Sequence, residues 1–286
     1  MKIGETYKII RQNKKLTQKE ICQKEVTTIT LSKFENGKST PNFLLMKFFL
    51  NQINMSFEEF EFLCTYDEFN ESQKIKKDFE SIISTAQQKD ILRLIEEIND
   101  YLAYNQDMNI QNLKDILAMT LEIEKHGFSE KANQIGLQFW NNIVAKKEWY
   151  FEDLKTLNFI LFYFPTSMVF DIVDRILERL AEYDNLGENL KNLKISILIN
   201  LSTIYMQDSK FERAEEINNM VCEEVKKVKR YDFFALSIIR KGIFQQDKTK
   251  IFRGENILES VGEINLLKNL QQEVKEFYDR CQKLGK

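Results

Sequence analysis

Apolar residues return every three to four positions along most of the chain, and short polar breaks separate the stretches that carry them. "QKDILRLIEEINDYL" sets Ile91, Leu94, Ile95, Ile98 and Leu102 on one stripe, the period of an α-helix. Core packing alone accounts for that stripe. The same period runs through "SQKIKKDFESIIS", a stretch near 110–125, "SEKANQIGLQFWNNIVA", "FEDLKTLNFILFYF", "SMVFDIVDRILERLAEY", "ENLKNLKISILINLSTIYMQ", "KFERAEEINNMVCEEVKKV" and "FFALSIIRKGIFQQ", then two final stretches near 251–262 and 265–283. Two Pro and nine Gly are spread over 286 residues, so few positions break a helix. The pattern predicts an all-α fold: a small five-helix domain followed by an α-solenoid of helix pairs.

The first 65 residues predict five short helices. "IGETYKIIRQ" gathers Ile3, Tyr7, Ile10 and Arg11 near one side of the first. Thr17 with Glu20 forms a capping-box pattern ahead of the second, which turns Leu16, Ile21 and Cys22 inward. A third begins at Thr27 or Thr28, exposes Thr28, Ile29, Ser32 and Lys33, and sends Leu31 and Phe34 to the core. Gly37 ends it, being able to take the left-handed conformation. "STP" restarts a fourth helix with Pro41 near its first turn, and Ser56 with Glu59 caps a fifth.

Charge changes the meaning of this package. Residues 1–50 hold ten Lys/Arg against four Asp/Glu, while the rest hold 31 against 40. A basic head on an acidic body suits a polyanion at the head alone. A helix, a tight turn and a second helix is the arrangement that lays one helix in the DNA major groove. Short Thr and Ser side chains allow close approach to base edges, and the methyl groups of Thr28, Ile29 and Thr30 match thymine methyls. Gln18 opens the second helix within reach of a phosphate. Lys33 and Lys38 neutralise phosphates, with guanine a second target for Lys33. For any single exposed Thr, a plain surface helix former is the competing reading. Arg11 and Glu35 read as a charged pair clamping the first helix to the third rather than as ligand contacts.

"LTQKEICQKEVTTITLSKFENGKSTP" resembles the lambda-repressor/Cro type helix-turn-helix, over about residues 3–65. It departs from that family in one place. The family carries a Gly in the turn before the third helix, whereas this chain has Lys24, Glu25, Val26 and Thr27, one residue short and without Gly.

Beyond the head, helix pairs recur with a period near forty residues, their first members beginning about 110, 150, 190 and 232. That is the build of a helical-repeat solenoid. "NLSTIYMQDSKFERAEEI" resembles a tetratricopeptide repeat, with Leu201, Tyr205, Phe211 and Ala214 at the packing positions; the other units are degenerate. Asn158, Asn200 and Arg240 recur at similar points of successive first helices. Asn can bond both groups of a peptide backbone, and Arg can grip a carboxylate with two hydrogen bonds; a solvated face or local capping is the alternative for each. Runs such as "CEEVKKVKR" read as solvated helix.

The whole layout resembles the Rgg/PlcR-type regulators, most closely the Rgg branch. The resemblance implies a homodimeric, cytoplasmic transcription factor with a DNA-binding domain at 1–66 and a dimerisation and peptide-binding domain at 67–286. It implies double-stranded DNA and a short signalling peptide as partners, in quorum sensing. It does not settle whether RNA polymerase is touched as well. Some members carry a cysteine at the head-to-head contact; the fourth helix here, "NFLLMKFFLNQI", has none, which leaves Cys64 as the nearest candidate.

Other function classes find little support. Cys22, Cys64, Cys222 and Cys281 show no metal or disulfide spacing and fit a reducing compartment. His126 lacks companions for a metal and precedes Gly127 at a helix end. There is no Gly-rich nucleotide loop, and Glu96 and Glu97 are neighbours on one helix rather than opposed across a cleft. No cofactor, metal or catalytic residue is expected, and no enzyme. "MKIGETYKII" turns polar at once, unlike a signal peptide, and "LNFILFYFP" is too short to span a membrane. The competing class is a helical-repeat adaptor whose head packs on a protein partner and reads no DNA.

Overall fold

The computed structural model describes residues 3–23, 25–65, 71–83, 88–126, 129–183 and 188–284, and every regular element among them is helical. The first five helices are α1 (Ile3–Asn13), α2 (Gln18–Cys22), α3 (Thr28–Glu35), α4 (Phe43–Gln52) and α5 (Phe57–Thr65). The starts of α2 to α5 are set by side chains that satisfy otherwise orphaned backbone N–H groups. Thr17 Oγ1 accepts from Glu20 N at 3.2 Å, and the Glu20 carboxylate accepts from Thr17 N at 2.7 Å. Thr17 Oγ1 also donates to the Glu20 carboxylate at 2.7 Å, and this bond, with the one from Thr17 N, holds the Glu20 carboxyl below its ordinary pKa. Thr27 Oγ1 accepts from Thr30 N, so α3 begins at Thr28. The fourth helix differs from expectation: Asn42 is its N-cap, accepting from Leu45 N at 2.9 Å, and Pro41 lies just outside. Ser56 Oγ accepts from Glu59 N ahead of α5.

The end of α3 is a Schellman motif. Lys38 N donates to Lys33 O and Gly37 N to Phe34 O, and Gly37 takes φ +68°. Eleven buried residues form the core of the head, centred on Tyr7, Leu31, Phe34, Phe49 and Phe60. Phe34 stacks on Phe49 at 5.5 Å, and the Tyr7 hydroxyl donates to Phe49 O at 2.9 Å. Burial pushes the Tyr7 phenol well above its usual range.

The chain divides into two compact units, residues 1–124 and 125–286. The first continues past the head into α6 (Glu71–Ile83), α7 (Gln88–Tyr104) and most of α8 (Met108–His126). The stripe foreseen on α7 buries Ile91, Leu94 and Ile98, and α6 packs on α7 with Ile75 and Phe79 buried.

The second unit holds α9 (Glu130–Val144), α10 (Phe151–Ile160) with a 3-10 turn over Leu161–Tyr163, α11 (Thr166–Phe170), α12 (Val173–Glu182), α13 (Glu188–Gln207), α14 (Phe211–Val228), α15 (Tyr231–Phe244), α16 (Lys248–Ser260) and α17 (Ile264–Leu284). The stretch from 167 to 183 reads as one helix in sequence but forms two. Asp171 and Ile172 form a turn between them, where Ile172 N donates to Val169 O at 3.1 Å instead of to the carbonyl four residues back. Helices α13 to α16 pack each against the next, as stacked repeats do. In the tetratricopeptide-like unit Leu201 and Ala214 are fully buried. Ser202 Oγ donates to Ala214 O at 3.1 Å where α13 meets α14, a contact that the small side chain permits. No helix among the described residues is long and apolar enough to cross a membrane.

Candidate DNA-reading and peptide-binding surfaces

The outward side of α3 carries the residues singled out in the sequence. Thr28, Ile29 and Lys33 are exposed, and Thr30 and Ser32 are half-buried. Ile29 is 66% exposed. Lys38, just past the Schellman motif, is exposed as well. Neither Lys33 nor Lys38 has an ion-pair partner among the described residues. Thr30 Oγ1 lies 2.9 Å from Thr27 Oγ1, and Asn36 Nδ2 donates back to Ser32 O at 2.8 Å, which stiffens both ends of the helix.

A buried polar cluster fixes this helix from behind. Arg11 Nε donates to Glu35 Oε1 at 2.5 Å and Arg11 Nη2 to Glu35 Oε2 at 2.9 Å, a two-pronged grip with both residues buried. Arg11 Nη1 also donates to Leu16 O at 2.5 Å. The hydrogen bond to Glu35 raises the Arg11 pKa despite the downward push of burial. Gln18 Nε2 donates to Glu35 Oε2 at 2.8 Å, a contact absent from the sequence reading. One carboxylate therefore ties α1, the start of α2 and the end of α3 together. The turn between α2 and α3 has its departure from the helix-turn-helix pattern written in its backbone. Lys24 lies outside the described residues, but Gln23 takes φ +46° and ψ −122°, a conformation suited to glycine.

In the second unit two of the three repeating polar residues meet, and the third, Arg240, bonds to other residues of α13 and α17. Asn200 Nδ2 donates to Asn158 Oδ1 at 2.9 Å, with Asn158 O at 3.3 Å. Arg240 Nη1 donates to Ile199 O at 3.2 Å and Nη2 to Thr203 Oγ1 at 2.8 Å. The sequence pointed to a carboxylate for Arg240, and the chain supplies one itself. Glu273 on α17 takes Arg240 Nε at 2.9 Å and Nη2 at 2.8 Å, leaving Arg240 only 3% exposed. The result is a polar ladder across α10, α13, α15 and α17. Glu273 and Thr203 carried no signal in the sequence.

Residues 143–235 match the C-terminal domain of the HTH-type transcriptional regulator Rgg. The matched segment takes in Asn158 and Asn200 and ends before Arg240. The fold is shared along nearly the full length of several solved structures. A Listeria monocytogenes EGD-e protein superposes with a TM-score of 0.81 at 16% identity, covering 98% of both chains. The Streptococcus dysgalactiae SHP pheromone receptor Rgg2 gives 0.71 at 15% identity, over 96% of this chain and 99% of that one. Bacillus thuringiensis PlcR, solved with the peptide PapR7 and DNA, gives 0.64 at 14% identity, over 96% and 98%. No curated protein matches the chain in sequence. The domain match covers 93 of the 286 residues, and the solved structures share the fold of the whole chain.

The remaining candidates fall as follows. Cys64 is half-buried, and burial pushes its thiol pKa up, which lowers its reactivity. His126 ends α8 and is exposed; its neighbour Gly127 lies outside the described residues. No group of His, Cys, Asp and Glu among the described residues is arranged to hold a metal ion.

Proposed function

We propose that the chain is a sequence-specific, DNA-binding transcriptional regulator controlled by a short signalling peptide, acting in the cytoplasm as a homodimer and by binding rather than catalysis. Residues 1–66 are the reading head and 67–286 the dimerising and peptide-binding body. The observation that carries this is the outward face of α3. An exposed Ile29 stands among Thr28, Thr30, Ser32 and Lys33 on a helix held by the buried Arg11–Glu35 ion pair and by the Gln18 amide. Thr28, Ile29, Thr30 and Ser32 meet base edges, Lys33 reaches guanine or phosphate, and Lys38 a phosphate. Gln18 uses one amide N–H on Glu35 and keeps the other for a phosphate. PlcR, whose fold is shared, has been solved with both a peptide and DNA, which supports the same pair of partners here.

Selection of random duplexes by the full-length protein, followed by footprinting, tests the reading. A pair of half-sites should emerge. Thr28→Ala or Lys33→Ala should weaken specific binding by roughly 1–3 kcal/mol for each lost base contact. A folded protein that enriches no sequence refutes it.

In the body, Asn158 and Asn200 are proposed to fix the backbone of the peptide and Arg240 to take a carboxylate from it. Arg240 is already gripped by Glu273, so a peptide carboxylate binds there only in exchange for Glu273.

A further inference from the structure

The hydroxyls on the outward side of α3 are not equivalent. Thr28 Oγ1 has no hydrogen-bond partner among the described residues, so it turns freely. Thr27, the exposed N-cap of α3, is held twice. Its Oγ1 accepts from Thr30 N at 3.2 Å and lies 2.9 Å from Thr30 Oγ1. A threonine hydroxyl has one hydrogen and two lone pairs. One lone pair of Thr27 Oγ1 already serves Thr30 N. Between the two hydroxyls either oxygen can be the donor, and the choice decides what Thr27 shows to a ligand. If Thr27 donates, its hydrogen is spent inside the helix. If Thr30 donates, both lone pairs of Thr27 are spent and its hydrogen alone is left. Two properties select the second arrangement. The free N–H groups of the first turn make this end of α3 positive, which turns the lone pairs of Thr27 Oγ1 inward and its hydrogen away. Thr30 is half-buried and its hydroxyl has no other partner among the described residues, so its hydrogen stays on Thr27.

We propose that Thr27 is a further specificity residue of the reading helix, a donor-only hydroxyl that bonds to an acceptor on a base edge, and that Thr30 is the residue that positions it. This rests on the DNA-reading role of α3 proposed above. The N-terminal residues of a reading helix are the ones that meet base edges, and Thr27 directly precedes Thr28 and Ile29. The acceptors open to it are guanine O6 and N7, thymine O4 and adenine N7; the amino groups of adenine and cytosine find no lone pair there. A freely turning hydroxyl such as that of Thr28 suits a donor or an acceptor and so discriminates little. A held one discriminates. Thr30 keeps its methyl group for the groove, while its hydroxyl acts through Thr27.

The test is operator selection by the full-length protein and its variants, followed by fluorescence anisotropy on labelled duplexes that carry base analogues. Thr27→Ala should relax the preference at one base pair, which identifies the pair that Thr27 meets. On the wild-type protein, an analogue that removes the acceptor there should weaken binding about fivefold, the size of one net hydrogen bond. An analogue that removes the amino group of that pair should leave binding unchanged. Thr30→Val keeps the branched shape and leaves the cap of α3 in place but removes the positioning hydroxyl. It should relax the same base pair, and adding it to Thr27→Ala should relax that pair no further, because both act through one hydrogen. Thr27→Ser keeps hydroxyl and cap and should retain the preference. A purely structural role would neither single out one base pair nor be rescued by serine, and thermal unfolding is the control for the cap. The proposal is overturned if Thr27→Ala weakens all sequences alike, if Thr30→Val leaves the pair as sharply chosen as before, or if loss of the amino group is what weakens binding. Those results leave the DNA reading intact. A wild-type protein that enriches no sequence overturns that reading and this inference with it.

Discussion

Glu35 is the residue on which the geometry of the head depends, because one buried carboxylate serves Arg11 and Gln18 together. Removing one partner of such a pair strands a charge in the core, which costs far more than the pair contributes as a whole. Arg11→Ala should destabilise the head by about 3–5 kcal/mol, read as a lower first unfolding transition. Arg11→Met with Glu35→Leu should recover much of that loss, since no charge is left unpaired. If Arg11→Ala leaves stability untouched and removes only DNA affinity, Arg11 is a DNA ligand. Gln23 gives the opposite sign. A non-glycine residue at its φ and ψ is strained by about 1–3 kcal/mol. Gln23→Gly should raise the melting temperature of the head, even though it gives up the Gln23 Nε2 to Gln52 Oε1 hydrogen bond at 2.8 Å.

Helix starts and stops were legible in the sequence because their causes are local. Thr17 with Glu20, Ser56 and Gly37 each act within a few residues of themselves, and a pattern of that length can be read directly. Pro41 and Asn42 show the limit: both suit a helix start, and only the hydrogen bond to Leu45 N shows which one caps. Arg11–Glu35 could be inferred from two charges flanking apolar positions in a recognisable motif. Arg240–Glu273 could not, because 33 residues separate the partners and their meeting depends on how α17 returns to α15. The break at Ile172 was also hidden, since the apolar period runs through it. The crossing of α1 over α3 is a further contact of the tertiary kind. A Cβ placed on Gly4 would lie 1.9 Å from Phe34 O and 3.3 Å from the Glu35 Cα, and backbone cannot move aside as a flexible side chain can. Gly4→Ala should therefore push α1 off α3 and cost at least the ~1–3 kcal/mol typical of overpacking, measured by thermal unfolding. It should also weaken DNA binding, because α3 loses the support that sets its angle.

Across the whole molecule the basic charge is concentrated at the head, and the remainder is acidic, with 31 Lys/Arg against 40 Asp/Glu. DNA is thereby disfavoured on the body, which leaves it for a neutral or basic guest. Communication between the two proposed sites must then be a coupling free energy. A peptide that favours one arrangement of the dimer, and with it one spacing of the reading helices, changes operator affinity; the operator must change peptide affinity by the same factor. Calorimetry with exported apolar peptides, run with and without operator duplex, measures both sides. A coupling of about 5- to 150-fold is expected. The polar ladder predicts how variants shift the peptide side alone. Asn158→Ala with Asn200→Ala should abolish binding, and survival of binding would move the site elsewhere. Glu273→Gln should strengthen binding, because Arg240 would then be held by a neutral amide that a peptide carboxylate displaces more readily. Equal peptide affinity with and without operator would unlink the peptide from DNA binding. Regulation would then have to act after the head has docked, through contact with RNA polymerase, and the peptide would still change transcription from a promoter whose occupancy stays constant.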